Sequence, residues 1–156
     1  MESTIRQAVA GDAPALAALI RDLEMFTSIE AESRETTCER VTRHLALCLA
    51  DDSHTVYVAE DGGGQIAGYV SVHWLPYLIL AGPEGYVSEL FIAGHARGRG
   101  IGAKLLDAAE DEARRRGCAR LMLLNMRQRE SYRRGFYAKH GWEERPDAAN
   151  FIRKLV

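Results

Sequence analysis

The sequence predicts one mixed α/β domain, and three observations carry that expectation. The chain of 156 residues has the length of a single domain. Its 47% hydrophobic and 27% charged residues suffice for one buried core, without the low hydrophobicity of a disordered chain. Apolar residues recur with a strand period in some segments and a helix period in others, in the order βααβββ followed by αβαββ.

Taken in order, Ser3–Val9 sets Ile5, Gln7 and Val9 against Thr4, Arg6 and Ala8, a modest first strand. Asp12 and Pro14 then open a helix in which Leu16, Leu19, Ile20 and Leu23 recur at helical spacing, to about Phe26. Thr36 and Glu39 fit a capping box ahead of Val41, Leu45, Cys48 and Leu49, the apolar face of a second helix. Thr55–Glu60 and Gln65–Trp74 read as strands joined by the turn Asp61-Gly62-Gly63-Gly64. Leu75–Gly85, which holds Pro76, Gly82 and Pro83, is irregular. Tyr86–Ala93 is apolar enough for a central strand, and Lys104–Arg116 is an amphipathic helix closed by Gly117. Arg120–Leu124 is a further strand, Ser131–His140 a short helix, and Trp142–Glu144 and Phe151–Val156 are closing strands. No repeat or linker divides the chain, so the domain spans 1–156.

Charge narrows the function classes. Lys+Arg 20 against Asp+Glu 22 leaves a net −2, with no global pull toward nucleic acid or an acidic membrane. Residues 1–96 nevertheless carry 5 basic and 14 acidic side chains, and residues 97–145 carry 13 and 7. An acidic front and a basic back suggest two ligand surfaces of opposite sign. The start lacks a secretory pattern and no apolar run spans a bilayer, so a cytoplasmic location is expected. Cys38, Cys48 and Cys118 are scattered and read as reduced thiols. No metal-ligand spacing is present, and no metal is expected.

The chemistry concentrates at Arg97-Gly98-Arg99-Gly100-Ile101-Gly102-Ala103-Lys104, between a strong strand and a strong helix. Glycines let the backbone turn sharply and approach a ligand, and the helix start with its dipole favours an anion. The arginines add charge-assisted contacts to phosphate oxygens. A P-loop is excluded, because Lys104 is followed by Leu105 rather than a magnesium-binding hydroxyl. Gly98, Gly100 and Ala103 satisfy a dinucleotide fingerprint, but the next strand ends at Leu124-Asn125 without the acidic residue a ribose needs.

Arg97-x-x-Gly100-x-Gly102 resembles the R-x-x-G-x-G loop of the GNAT acetyltransferases. Glu89-Leu90-Phe91-Ile92-Ala93 resembles their fourth strand, and Phe136-Tyr137-Ala138-Lys139-His140-Gly141-Trp142 resembles their F-Y-x-K-x-G-[FW] segment. The resemblance covers about 85–144. It implies a GNAT-like fold with a mixed sheet of about six to seven strands, flanked by about four helices and splayed at the fourth and fifth strands. It also implies an N-acetyltransferase that moves an acetyl group from acetyl-CoA to an amine in a ternary complex.

The resemblance further implies that Arg97, Gly98, Arg99, Gly100, Ile101, Gly102 and Ala103 cradle the cofactor pyrophosphate. Leu90, Phe91 and Ile92 would offer main-chain groups to the pantetheine arm, and Asn125 would contact the cofactor from the end of the fifth strand. Tyr137 matches the tyrosine that protonates the leaving thiolate, against a competing reading as a packing aromatic beside Phe136. Arg127, Arg129, Arg133 and Arg134 either reach the ribose phosphate or form a solvated face.

The base is read from the residues. Glu89 precedes an apolar run in the central strand, where burial would raise its pKa toward neutrality; the alternative is an exposed or arginine-paired carboxylate. His73 is a second candidate, with Trp74 as a wall of the acceptor pocket. Glu30, with Glu32 and Glu35, could attract a cationic small-molecule or peptide amine, or form an ordinary solvated loop. Homodimers are common in similar proteins, and the apolar Trp74–Ala81 stretch could serve a partner. The rival reading is a non-catalytic acyl-CoA-binding sensor or assembly module, in which Glu89 and Tyr137 would be dispensable. Nucleic-acid binding through 127–134 is disfavoured by the net negative charge.

Overall fold

The computed structural model describes residues 2–156. The chain falls into two compact units, the first ending at Leu124 and the second taking Asn125–Val156.

In the first unit, β1 (Thr4–Gln7) leads through a 3-10 turn into α1 (Ala13–Asp22), then α2 (Thr27–Glu30) and α3 (Arg34–Leu49). Strands β2 (His54–Glu60), β3 (Ile66–Leu75) and β4 (Glu84–Ile92) follow, then α4 (Ile101–Arg115) and β5 (Arg120–Leu123). The sheet order is β1-β2-β3-β4-β5. The first four strands pair antiparallel and β5 pairs parallel to β4. A parallel neighbour needs a crossover, and α4 supplies it.

Period-2 alternation divides the sheet into two faces. Val70, Val72 and Trp74 point toward α4, whose Leu105 and Leu106 are closed off from solvent with them. Tyr69, Ser71 and His73 point the other way, and Leu16 of α1 and Leu45 of α3 share a cleft with the first two. Gly68 admits this packing: a Cβ there would come within 2.7 Å of Ile92 Cδ1 and 2.9 Å of the Phe91 carbonyl.

The termini of the elements show how local chemistry decides boundaries. The capping box expected from Thr36 and Glu39 is displaced by one turn, because Ser33 caps α3 by accepting from the Thr36 N–H. Asp12 does not cap α1 with its side chain. It accepts the Val9 N–H at 2.8 Å and holds Arg6 through two hydrogen bonds of 2.8 and 2.9 Å. Asp61 Oδ1 accepts from Gly63 and Gln65 and fixes the β2–β3 turn as expected. Helix α4 ends in a Schellman pattern, with Cys118 N–H donating to Ala113 and Gly117 at φ +68°.

The second unit holds α5 (Glu130–Arg133) and α6 (Phe136–Lys139). The single helix expected over Ser131–His140 is divided at Gly135, whose φ is +65°. Among the described residues, six helices and five strands therefore replace the expected four and six to seven. Neither closing strand forms among the described residues. The Trp142 N–H donates to the Tyr137 carbonyl, which completes a helical turn instead of a ladder. Glu144 is taken by Arg127 and Tyr132. Phe151, Ile152 and Leu155 are exposed, so alternation there has no face to bury.

Among the described residues no helix is long and apolar enough to cross a membrane. In the stretch offered above as a partner surface, Trp74 is buried while Leu78 and Ile79 stand exposed.

Candidate active site

The glycine-arginine segment is positioned by β4 and α4. The strand ends at Ile92, a short 3-10 turn covers Gly94–Ala96, and the chain enters α4 at Gly100. Gly98 and Gly100 both sit at φ +76°, the left-handed region that side chains resist. A Cβ at either position would meet nothing within 4 Å, so backbone conformation, not crowding, demands glycine there.

The first intrahelical bond of α4 is Lys104 N–H to Gly100 O at 3.1 Å. Helix geometry therefore leaves the N–H groups of Ile101, Gly102 and Ala103 without an intrahelical acceptor, at the positive end of a 15-residue helix. Arg97 and Arg99 are exposed beside them, with Arg97 Nε donating to Ile92 O at 3.3 Å. These residues fit a diphosphate: an open backbone, donors at a helix start and two exposed cations.

Strand β4 carries the second half of the site. Its ladder with β5 covers Glu84 to Val87, opposite Arg120 to Leu123, and β5 does not follow β4 beyond that point. Strand β5 itself ends at Leu123, so among the described residues Leu90, Phe91 and Ile92 ladder with β3 and not with β5. Opposite β3, Ser71 pairs with Glu89 but Val72 pairs with Val87. Ser88 is the extra residue of a β-bulge.

Beyond the bulge, Glu89 projects into a cleft of about 160 Å³ between the sheet and helices α1 and α3. Glu89 is exposed, as the alternative reading of the sequence had it, rather than buried in the strand; the protein around its carboxyl nevertheless desolvates it and pushes its pKa upward. Tyr69 stands beside it, 4% exposed, its hydroxyl without a hydrogen-bond partner in the structure. Burial first, and the neighbouring Glu89 carboxylate second, push the Tyr69 phenol well up. The phenol therefore keeps its proton.

His73 lies at the far end of the same face. Its Nε2 is 2.8 Å from Ser88 Oγ, its ring meets His54 at 4.4 Å, and burial lowers its pKa. Trp74 and Glu30 are not brought to the cleft. Alternation turns Trp74 to the α4 side, where Nε1 donates to Thr55 Oγ1 at 2.9 Å and Arg116 stacks over the ring. Glu30 is exposed on α2, and its neighbour Ile29 lines the cleft instead.

Several cleft residues were missed from sequence. Tyr69 and Ser71 carried a signal, polar groups at every second position of an otherwise apolar strand. Arg40 and His44 on α3 carried none beyond helical spacing. Arg21 holds the region together, its Nη1 donating to the carbonyls of Ile29 and Glu32 and to Thr37 Oγ1. Glu32 is consumed by Arg40 and Thr37.

In the second unit, Tyr137 is half-buried, 5.1 Å from the Phe136 ring and 6.1 Å from the Trp142 ring. Desolvation pushes its pKa up, against a smaller opposing effect of Arg129. Asn125 accepts from Ser131 Oγ at 3.1 Å. Of the arginines in this unit, Arg127 pairs with Glu144 and Arg134 stacks over Phe136.

Comparison with known proteins agrees with this geometry. Over residues 17–142 the chain matches the Acetyltransferase (GNAT) family. It is 26% identical over 140 residues to the uncharacterized N-acetyltransferase YhfO of Bacillus subtilis, covering 90% of this chain and 89% of that protein. It is 30% identical over 120 residues to an L-methionine sulfoximine/L-methionine sulfone acetyltransferase of Pseudomonas paraeruginosa, covering 75% and 67%. Among solved structures, a transcriptional regulator from Bacillus halodurans C-125 shares the fold with a TM-score of 0.85 at 24% identity, over 99% and 100% of the two chains. The glycine turn into the start of α4 and the match over most of the chain converge: this protein belongs to the GNAT acetyltransferase family.

Proposed function

We propose that this protein transfers an acetyl group from acetyl-CoA to a small-molecule amine, by direct attack within a ternary complex. The observation that carries the reading is the succession, along one strand and the loop after it, of the Glu89 carboxylate in the cleft and a helix start whose first N–H groups have no intrahelical acceptor. The related methionine sulfoximine acetyltransferase supports a small acceptor.

The backbone N–H groups of Ile101, Gly102 and Ala103, with Arg97 and Arg99, hold the diphosphate of the donor. Main-chain groups of Leu90, Phe91 and Ile92, where β5 no longer accompanies β4, line the pantetheine arm. An N–H along that stretch stabilises the thioester oxygen as charge develops on it. Holding both reactants in one cleft supplies the orientational advantage.

Glu89 takes the proton that the amine sheds as its nitrogen bonds to the thioester carbon. The C–S bond then breaks, and Tyr137 gives its proton to the departing thiolate, yielding an amide and a free thiol. Glu89 returns its proton to solvent and Tyr137 recovers one, so the proton count closes. A base with a raised pKa and an acid that holds its proton are what this exchange needs. Tyr137 takes this role from the F-Y-x-K-x-G-W segment that carries it.

Thiol release from acetyl-CoA, followed with a panel of amines, tests the reading. Amine-dependent release lost in Glu89→Gln and Tyr137→Phe supports it. Tight acetyl-CoA binding with no release for any amine would instead make the protein an acyl-CoA-binding module.

A further inference from the structure

The cleft that holds Glu89 has a chemistry of its own, which divides into three parts. Its sheet wall presents Glu89 and the unpartnered, solvent-shielded hydroxyl of Tyr69. Its helix wall presents Arg40 and His44, one turn apart on α3. Between these walls the lining is apolar, led by Leu16 and Leu45.

Each part constrains the occupant. A carboxylate beside an orphaned hydroxyl suits an amine, since the carboxylate accepts from nitrogen and the hydroxyl can give or take a hydrogen bond. A cavity near 150 Å³ with an apolar lining takes a body about the size of benzene, so a cleft of about 160 Å³ has room for a short aliphatic arm. The helix wall offers hydrogen-bond donors. Arg40 spends only Nη1 on Glu32, and its remaining donors lie within a five-donor fork suited to planar or tetrahedral oxyanions. Arg21 also faces Glu32 and is faced in turn by Glu35, so the recognition rests on the unspent donors of Arg40 rather than on a net charge of the wall.

We infer that the acceptor is an amphoteric amine, a small molecule carrying a carboxylate or phosphonate near the amino group and an aliphatic side arm. The amino group meets Glu89 and Tyr69, the acid group meets Arg40 and His44, and the arm lies over Leu16 and Leu45. The inference rests on the acetyltransferase reading for the reaction but not for the binding. Arg40 is thereby a specificity-determining residue.

The test compares L-leucine, its phosphonate analogue and 3-methylbutylamine, which lacks the acid group, as acceptors for thiol release by the full chain. The expected result is a preference of about tenfold or more in kcat/KM for an acid-bearing amine, the worth of one charge-assisted contact. Leucine against its phosphonate analogue then reads which acid the wall favours. Arg40→Gln should collapse that preference toward parity, while Glu32→Gln, which frees the guanidinium without removing it, should keep it. Equal use of all three amines by the wild type would overturn the inference, as would loss of the preference in both variants, which would mark Arg40 as a merely structural partner of Glu32. Calorimetric titration with L-leucine and 3-methylbutylamine separates this from failure of the transferase reading. Leucine binding lost in Arg40→Gln upholds the acceptor class even where no thiol is released, and no leucine binding without release sinks both.

Discussion

Ser71 of β3 and Glu89 of β4 are paired across the sheet, while the next residue of β3, Val72, pairs with Val87. The slip of one residue excludes Ser88 from the ladder and sets which side chains of β4 face the cleft. Past the bulge Glu89 and Phe91 share the face of Ser71 and Tyr69, and Leu90 and Ile92 turn toward α4. A bulge here therefore does two things at once. It aims a carboxylate into the cleft against α1 and α3, and it lies next to the point where the ladder of β4 with β5 ends.

The carboxylate sets the first prediction. Because desolvation raises the Glu89 pKa above the ordinary carboxylate value, its base form is lost at a higher pH than for a surface glutamate. The acidic limb of kcat/KM against pH should therefore lie above the normal glutamate range. Glu89→Gln should lower kcat by about 10²-fold or more, the usual weight of a general base, and abolish that limb. Stability should change little, since the amide is of similar size. A limb that persists unchanged in the variant would remove Glu89 from the mechanism.

The proposed donor site rests on backbone. At φ +76°, Gly100→Ala costs on the order of 1 to 2 kcal/mol of left-handed strain, and relief of that strain would turn the α4 N–H groups away from the ligand. Acetyl-CoA affinity, measured by calorimetric titration, should fall about tenfold or more. Arg97→Ala should weaken binding by a similar factor through one lost charge-assisted contact, without the accompanying fall in Tm.

How much of this was legible in the sequence depends on whether the signal is local. Gly98 and Gly100 were legible because positive φ has few other solutions, and Glu89 because a carboxylate before Leu90-Phe91-Ile92 is conspicuous. The hairpin at Asp61–Gly64 and the end of α4 at Gly117 follow from turn chemistry and were equally plain. What escaped depends on contacts distant in sequence. Arg21 reaches the carbonyls of Ile29 and Glu32, and Arg40 takes Glu32, so a loop that reads as acidic is largely neutralised. Trp74 looked like a pocket wall beside His73, yet adjacent residues of a strand face opposite ways, and its partner Thr55 lies on β2. The absent closing strands fail for a related reason: the alternation of Phe151–Val156 fixes a period but not a neighbour.

Tyr137 separates chemistry from binding. Removing one phenolic hydroxyl in Tyr137→Phe should lower kcat by about 10²-fold while leaving the acetyl-CoA dissociation constant within about twofold. The contacts to Phe136 and Trp142 are ring contacts and survive the change. Since desolvation raises the phenol pKa, the alkaline limb of the wild-type profile should sit above the ordinary tyrosine range. Unchanged kcat would return Tyr137 to a packing role.

Arg6 and Asp12 give the last prediction, on stability. Asp12 is buried at 7% exposure, holds the Arg6 fork and accepts the Val9 N–H, and these contacts depress its pKa below the ordinary aspartate value, Arg6 first. The folded state therefore binds the Asp12 proton less readily than the unfolded chain. That contribution is complete above the unfolded pKa of about 3.9 and is lost as pH falls through the lower folded value. Asp12→Ala should destabilise the protein by about 2 kcal/mol at neutral pH, the loss of charge-assisted bonds and of a partner for a half-buried arginine. Arg6 retains Glu60 at 2.6 Å, which limits the penalty. Urea unfolding at pH 7 and again near pH 3 checks this: the gap between wild type and variant should narrow at the acid end, and a constant gap would mean that Asp12 acts through packing rather than charge.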